Sequence, residues 1–343
     1  ITAGQAGVAI SLLQIAYAIS QYPSGQWSDR LGRVTIIVPS LLLLSVGFLT
    51  IGFSTTFVVF LLGATLVGIG KGLFASPSRT LLFDLFSAHR GRAIGIYTSG
   101  TDLGGLLAAG LAVVVLEIAV WRAAFLPISV TLLAVLGVYV YVNREPFTFE
   151  WPNGAKRPGR FRALLDRDRR RVLVAYALLY MVVSGFITFF PLFLTATKGY
   201  SESLASGIFS TVFVVGLIVK PLAGGLCDRG DPTTVGSVGL AVAAIGLIGL
   251  QFVDSLVAVV AVLAIMAVGY KIQFPIADTI VMKTASAESM GADLGAVRAG
   301  FLLVGSLGAM IVGTLALGFG YDVAFGVLAA CFLFASWSVF RAE

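Results

Sequence analysis

Apolar residues fill long runs of this chain, and polar residues gather in short stretches between them. A run of about 20 apolar residues is long enough to cross a bilayer as a helix. Such runs fall near 4–24, 34–53, 56–80, 92–116, 122–142, 172–197, 203–225, 232–252, 256–283, 292–317 and 320–340. Glycine and proline are what interrupt them, which membrane helices tolerate, and the two-residue alternation of a membrane β-barrel is not seen. The pattern predicts an all-α integral membrane protein with eleven spans. One polar interval is long, Asn143–Arg171, with nine basic residues and three prolines. It reads as a hydrophilic linker carrying a short amphipathic helix around Phe161–Arg171. The chain therefore divides into residues 1–142, the linker 143–171, and residues 172–343.

Composition agrees and narrows the function. Hydrophobic residues make up 58 % and charged ones 12 %, against about 25 % charged in soluble domains; mean hydropathy is +0.98. Two cysteines, each inside an apolar run, and one histidine in a charged turn supply neither a disulfide framework nor a metal site. No cofactor is expected, and neither is an enzyme, which would need a cluster such as H-E-x-x-H or a Ser/His arrangement. The net charge of +6 does not point to nucleic acid, because the basic residues sit between spans, where they set topology. One face holds sixteen of them, including Arg30, Arg33, Arg90, Arg92, the linker residues, Arg229, Lys283 and Arg341; the other holds Arg122 and Lys198. The linker and C-terminus are thus expected in the cytoplasm and residue 1 outside, in a multi-pass protein of the cell (plasma) membrane.

The chain also matches itself at a shift of 199 to 200 residues. Gly25-x-x-x-Asp29-Arg30 recurs as Gly224-x-x-x-Asp228-Arg229, and Lys71, Gly91, Gly95, Gly100, Gly105 and Phe125 fall on Lys271, Gly291, Gly295, Gly300, Gly305 and Phe325. Two parallel copies of a helical half are a common plan for membrane transporters. The offset gives Val172–Lys198 no counterpart, so a further span is expected ahead of Ile1, in a native chain starting about 30 residues upstream. Tyr176, Tyr180, Ser184, Phe186, Thr188, Phe189 and Phe190 in Val172–Lys198 are expected to line a cavity.

The turn Gly25-Gln-Trp-Ser-Asp29-Arg30-Leu-Gly32-Arg33 has a physical logic of its own. Gly25 permits close helix approach, Gly32 can adopt a backbone angle closed to other residues, and Asp29 can face a helix N-terminus. Arg30 and Arg33 can reach carboxylates. The turn resembles the signature loop of the major facilitator superfamily, G-x-x-x-D-R-x-G-R between the second and third helices. Gly224-Gly-Leu-Cys-Asp228-Arg229-Gly230-Asp231 is similar but lacks the last arginine; Arg90–Gly95 and Trp121–Phe125 also resemble family stretches. The resemblance implies two parallel six-helix halves, eleven of the twelve helices being present, and alternating access. It implies conformational gating by Gly25, Asp29, Arg30, Gly32, Arg33, Gly224, Asp228 and Arg229, with Asp84 as partner. Two departures weaken a proton/drug antiport mechanism: Ala64 stands four residues before Gly68 where proton-coupled members often have arginine, and Gly100-Thr-Asp-Leu-Gly-Gly105 lacks the proline of drug antiporters.

Charges within the spans mark the candidate substrate site. Lys71 and Lys271 each lie about 15 residues into their helices, near mid-membrane by the 1.5 Å rise, where a charge normally faces a cavity or a partner. They favour an anion, unless Asp102 neutralises Lys71 and Asp278 neutralises Lys271. Asp102, Arg298, Tyr97 and Gln273 complete the expected substrate-binding set, with Tyr270 beside them, whereas Lys220-Pro221 reads as a hinge and packing feature. The expected function is secondary active transport of a small organic anion, by a monomer whose expected partners are lipid, a small-molecule substrate and a coupling ion such as a proton, and no nucleic acid. Multidrug/proton antiport is the alternative, and a membrane sensor or enzyme on a transporter fold is the alternative from another class.

Overall fold

The computed structural model describes residues 3–118, 121–143, 167–285 and 288–341. Among them the elements are helices: α1 (Ala3–Leu31), α2 (Arg33–Gly52), α3 (Phe57–Leu85), α4 (Arg90–Ile118), a 3-10 turn (Trp121–Ala124), α5 (Phe125–Val142), α6 (Arg167–Ala196), α7 (Glu202–Arg229), α8 (Pro232–Phe252), α9 (Leu256–Lys271), α10 (Gln273–Thr284), α11 (Met290–Phe319) and α12 (Tyr321–Phe340). Nine spans among the described residues are long and apolar enough to cross a membrane, one of them formed by α9 and α10 together. All eleven expected spans coincide with helices. Most of the linker, including residues 161–166 of its expected amphipathic helix, lies outside the described residues.

The helices run further than the apolar runs that announce them. A 29-residue helix such as α1 is about 43 Å long, against about 30 Å of hydrocarbon. The signature loop is therefore mostly helix: Asp29 and Arg30 lie in the last turn of α1, and only Gly32 breaks it, at φ 91°, in the region that favours glycine. One expected span is broken instead of continuous. Pro275 has no N–H to offer the carbonyl four residues earlier, which belongs to Lys271, and its ring crowds that carbonyl; α9 ends there and α10 begins at Gln273.

Two compact units emerge from the packing. The first holds α1, α2, α3 to Leu82, α4 from Leu107, α5, and α11 to Ala299; the second holds the end of α3, α4 to Leu106, α6 to α10, α11 from Gly300, and α12. In the first, α2 packs on α1 and α5, with Phe48 stacked on Phe125 at 6.2 Å. In the second, α12 packs on α8 and α6, and α9 on α8 and α7. Its core is aromatic. Phe186, Phe190, Phe193 and Phe325 are buried, with Phe186 and Phe190 4.6 Å apart and Phe193 and Phe325 5.0 Å apart. Tyr176 is buried too. Tyr176, Phe186 and Phe190 thus fill a core where the sequence suggested a cavity lining, because an aromatic face gains more from another aromatic face than from water.

Candidate functional site

Two kinds of site arise from the polar residues of the helices: a carboxylate cap at each signature turn, and clusters of buried charge deeper in each unit.

In the first unit Asp29 closes the end of α1 onto the start of α11. Its Oδ1 accepts from the Gly291 N–H at 3.0 Å and its Oδ2 from the Ala292 N–H at 2.8 Å. These N–H groups are among those a helix start leaves without intrahelical partners, and the helix dipole adds to the attraction. Arg33, across the Gly32 turn, pairs with the same carboxylate. The approach requires glycine: a Cβ on Gly25 would lie 1.9 Å from the Gly291 carbonyl oxygen. In the second unit Asp228, at the end of α7, does the same to the start of α4, accepting from Gly91 N–H at 2.6 Å and Arg92 N–H at 2.9 Å. A Cβ on Gly224 would meet the Gly91 oxygen at 2.0 Å. The glycines that repeat at 200 residues, Gly91 and Gly291, are therefore the receiving ends of the aspartates that repeat at 199. Where the first turn has Arg33, the second has Pro232, and Asp231, aligned with Gly32, caps α8 by accepting from the Thr234 N–H at 2.7 Å. Slight burial pushes the Asp231 carboxyl up, but bonds from Thr233 and Thr234 outweigh it and hold it at about 2. Arg30 lies at the end of α1, Arg229 closes α7 in an exposed position, and Asp84 is exposed near the end of α3.

The deeper cluster of the second unit centres on Asp102, 2 % exposed. One oxygen pairs with Lys220 at 2.5 Å and the other pairs with Lys271. Lys220 also donates to the Thr98 carbonyl and the Thr101 hydroxyl, each at 3.0 Å. The Lys271 ammonium lies 4.9 Å from the Phe213 ring centroid and 5.3 Å from that of Tyr270. Asp102 is thus the counter-charge of Lys271 and Lys220 instead of Lys71. Two ammonium groups share one carboxylate. Gln273 is turned to the backbone, donating to the Gly236 carbonyl at 3.0 Å and the Gly269 carbonyl at 2.9 Å, where it braces the α9–α10 break. Tyr97 is half-buried on α4.

In the first unit Lys71 is exposed on α3, its ammonium 4.4 Å from the Tyr17 ring centroid. Arg298 on α11 is buried and donates from Nε to Gln21 Oε1 at 3.2 Å. Reading by residue type missed Lys220, because proline follows it, and Tyr17, Gln21 and Arg79, because single polar residues in apolar helices carry little signal. The repeat offset does carry one for Lys220 and Gln21, which are 199 residues apart.

The family model described as Major Facilitator Superfamily matches residues 1–309. Among curated relatives, the "Probable 4-methylmuconolactone transporter" of Cupriavidus pinatubonensis is 27 % identical over 222 residues, 63 % of this chain and 51 % of that protein. The "Hexuronate transporter" of Bacillus subtilis is 25 % identical over 240 residues, 66 % of this chain and 56 % of that protein. The chain thus spans about half the length of these relatives. Among solved structures, the human organic anion transporter MFSD10 superposes with a TM-score of 0.79 at 19 % identity, covering 98 % of this chain and 83 % of that one; this likeness is one of fold.

Proposed function

The chain belongs to the Major Facilitator Superfamily, and on that footing we propose that it is a secondary transporter moving a small organic anion across the membrane by alternating access. The observation that carries the anion is the pair of buried lysines that share the Asp102 carboxylate. A cationic, low-dielectric interior favours an anion over a neutral or cationic solute. The relative named for hexuronate, itself an organic anion, supports the same class. Lys71, Lys271, Asp102 and Arg298 are the substrate-side residues in this reading. Asp29 and Asp228 are its gates, since a cap that holds one helix start in place must be released when that helix moves.

The test is a thermal-shift titration of the purified full-length protein with glucuronate, succinate, glucose and a cationic dye. The carboxylates are expected to raise the unfolding temperature, a ligand at 100 times its Kd adding about 2.7 kcal/mol. Stabilisation by glucose or the dye alone overturns the anion reading.

The basic imbalance of the turns places the linker and C-terminus in the cytoplasm of a plasma-membrane protein in this proposal. Thr55→Cys, in the turn between α2 and α3, should then react with an impermeant thiol reagent on intact cells, and His89→Cys, in the turn between α3 and α4, only after permeabilisation. The reverse pattern overturns the orientation.

A further inference from the structure

The internal repeat allows the two buried clusters to be compared position by position, each within its own unit. The shift of 199 that carries Gly25 onto Gly224 also carries Tyr17 onto Gly216 and Gln21 onto Lys220; the shift of 200 carries Lys71 onto Lys271 and Thr98 onto Arg298. In the second copy the Asp102 carboxylate fills the space beside Gly216, where a Cβ would come within 2.4 Å of Oδ2, and there it serves Lys220 and Lys271. The position 200 residues after Asp102 in the sequence is Leu302. The chain supplies no carboxylate there, and it places an arginine, Arg298, where the second copy has Thr98.

The first cluster is rich in donors. Arg298 hydrogen-bonds the Tyr17 hydroxyl, and the charged groups acting on that hydroxyl are Arg298, Lys71 and Arg79, all cations. Arg79 and Arg298 are 6 % exposed and Gln21 is fully buried. Gln21 gives its Oε1 to Arg298, while its Nε2 has no hydrogen-bond partner among the described residues. A buried amide donor without an acceptor is unfavourable, and beside guanidinium groups the acceptor that suits it is an anionic oxygen. Exposed Lys71 is the member of the cluster that an arriving solute can meet first.

We propose that Tyr17, Gln21, Lys71, Arg79 and Arg298 form a carboxylate-binding site, in which the solute's carboxylate plays the part that Asp102 plays in the second copy. The proposal rests on the anion-transport reading and adds to it the residues that recognise the charge. The guanidinium and amide N–H groups take the two oxygens, and Lys71 closes over them from the Tyr17 face. The second copy carries its carboxylate permanently; the first receives one from the solute.

Isothermal titration of the purified full-length protein with propionate, succinate and glucuronate tests this. Gln21→Leu removes a donor without changing charge and should weaken carboxylate binding about tenfold to a hundredfold, the range of a hydrogen bond to a charged group. Lys71→Gln, at an exposed position, should weaken it about tenfold or more. Lys198→Gln removes an equal charge from the outer Lys198–Asp254 pair and should leave binding unchanged. If the carboxylates bind and both Gln21→Leu and Lys71→Gln bind them as the wild type does, the site is elsewhere and the anion reading stands. If none of the carboxylates binds the wild type, the site and the anion reading fall together.

Discussion

Asp102→Asn is expected to be the most destabilising single substitution in the buried clusters. It takes the shared carboxylate away from the Lys220 and Lys271 ammonium groups, both at most 4 % exposed. Removing one partner of a buried ion pair costs about 3–5 kcal/mol because an uncompensated charge stays behind, and here two lysines lose the same partner. Lys271→Gln is the opposite case. It removes one of the two ammonium groups and leaves Asp102 with Lys220, which keeps its bonds to Thr98 and Thr101, so stability should change little. The double variant keeps Lys220 on the Thr98 and Thr101 oxygens without a second lysine beside it and should fall between the singles, recovering part of what Asp102→Asn loses. Thermal unfolding of the four proteins in one detergent gives the order. Unfolding of Asp102→Asn at the wild-type temperature would mean that the pairs contribute no net stability.

The architecture was legible because lipid makes helix length and apolarity nearly sufficient evidence. The eleven apolar runs coincide with helices, nine of them long and apolar enough among the described residues to cross a membrane, and the all-α fold of the superfamily followed from the Gly25–Arg33 turn and its copy. The roles of Gly25, Gly32 and Asp29 could be read ahead of the structure because each depends on local geometry: a close approach, a positive φ, a capped helix start. Pairing was harder to read. Lys71 and Asp102 sit at similar depths in the sequence, yet Asp102 serves Lys271 and Lys220, on helices far along the chain, and depth does not say which helices are neighbours. Lys220 was obscured by Pro221, a residue whose usual meaning is a bend. Gln273 has the chemistry of a ligand but faces two backbone carbonyls, those of Gly236 and Gly269. Polar residues in apolar helices announce that they have a partner, and only packing names it.

Neutralising the two carboxylate caps should alter conformational traffic far more than folding. Asn in place of Asp29 or Asp228 can still accept one helix-start N–H but loses the charge and the second acceptor. A charge at a helix terminus contributes about 0.3–1 kcal/mol, and up to about 2 kcal/mol when partly buried, too little to unfold the protein. In the proposed alternating-access cycle the same energy acts directly on the separation of α1 from α11 and of α7 from α4, because a helix start that moves must leave its cap. At about 1–2 kcal/mol each, loss of a cap raises the separated population roughly fivefold to thirtyfold at its own site. Ser28, 1 % exposed and beside Asp29, can report this in the first unit. In a protein otherwise free of cysteine, Ser28→Cys should react slowly with a thiol reagent, and adding Asp29→Asn should speed that reaction by a similar factor. Adding Asp228→Asn tests whether the caps are coupled: if the second unit must open for the first to open, labelling at position 28 accelerates again, and if the caps act separately it does not. Labelling unchanged by Asp29→Asn, with normal transport in both variants, would reduce the caps to ordinary helix ends without a gating role.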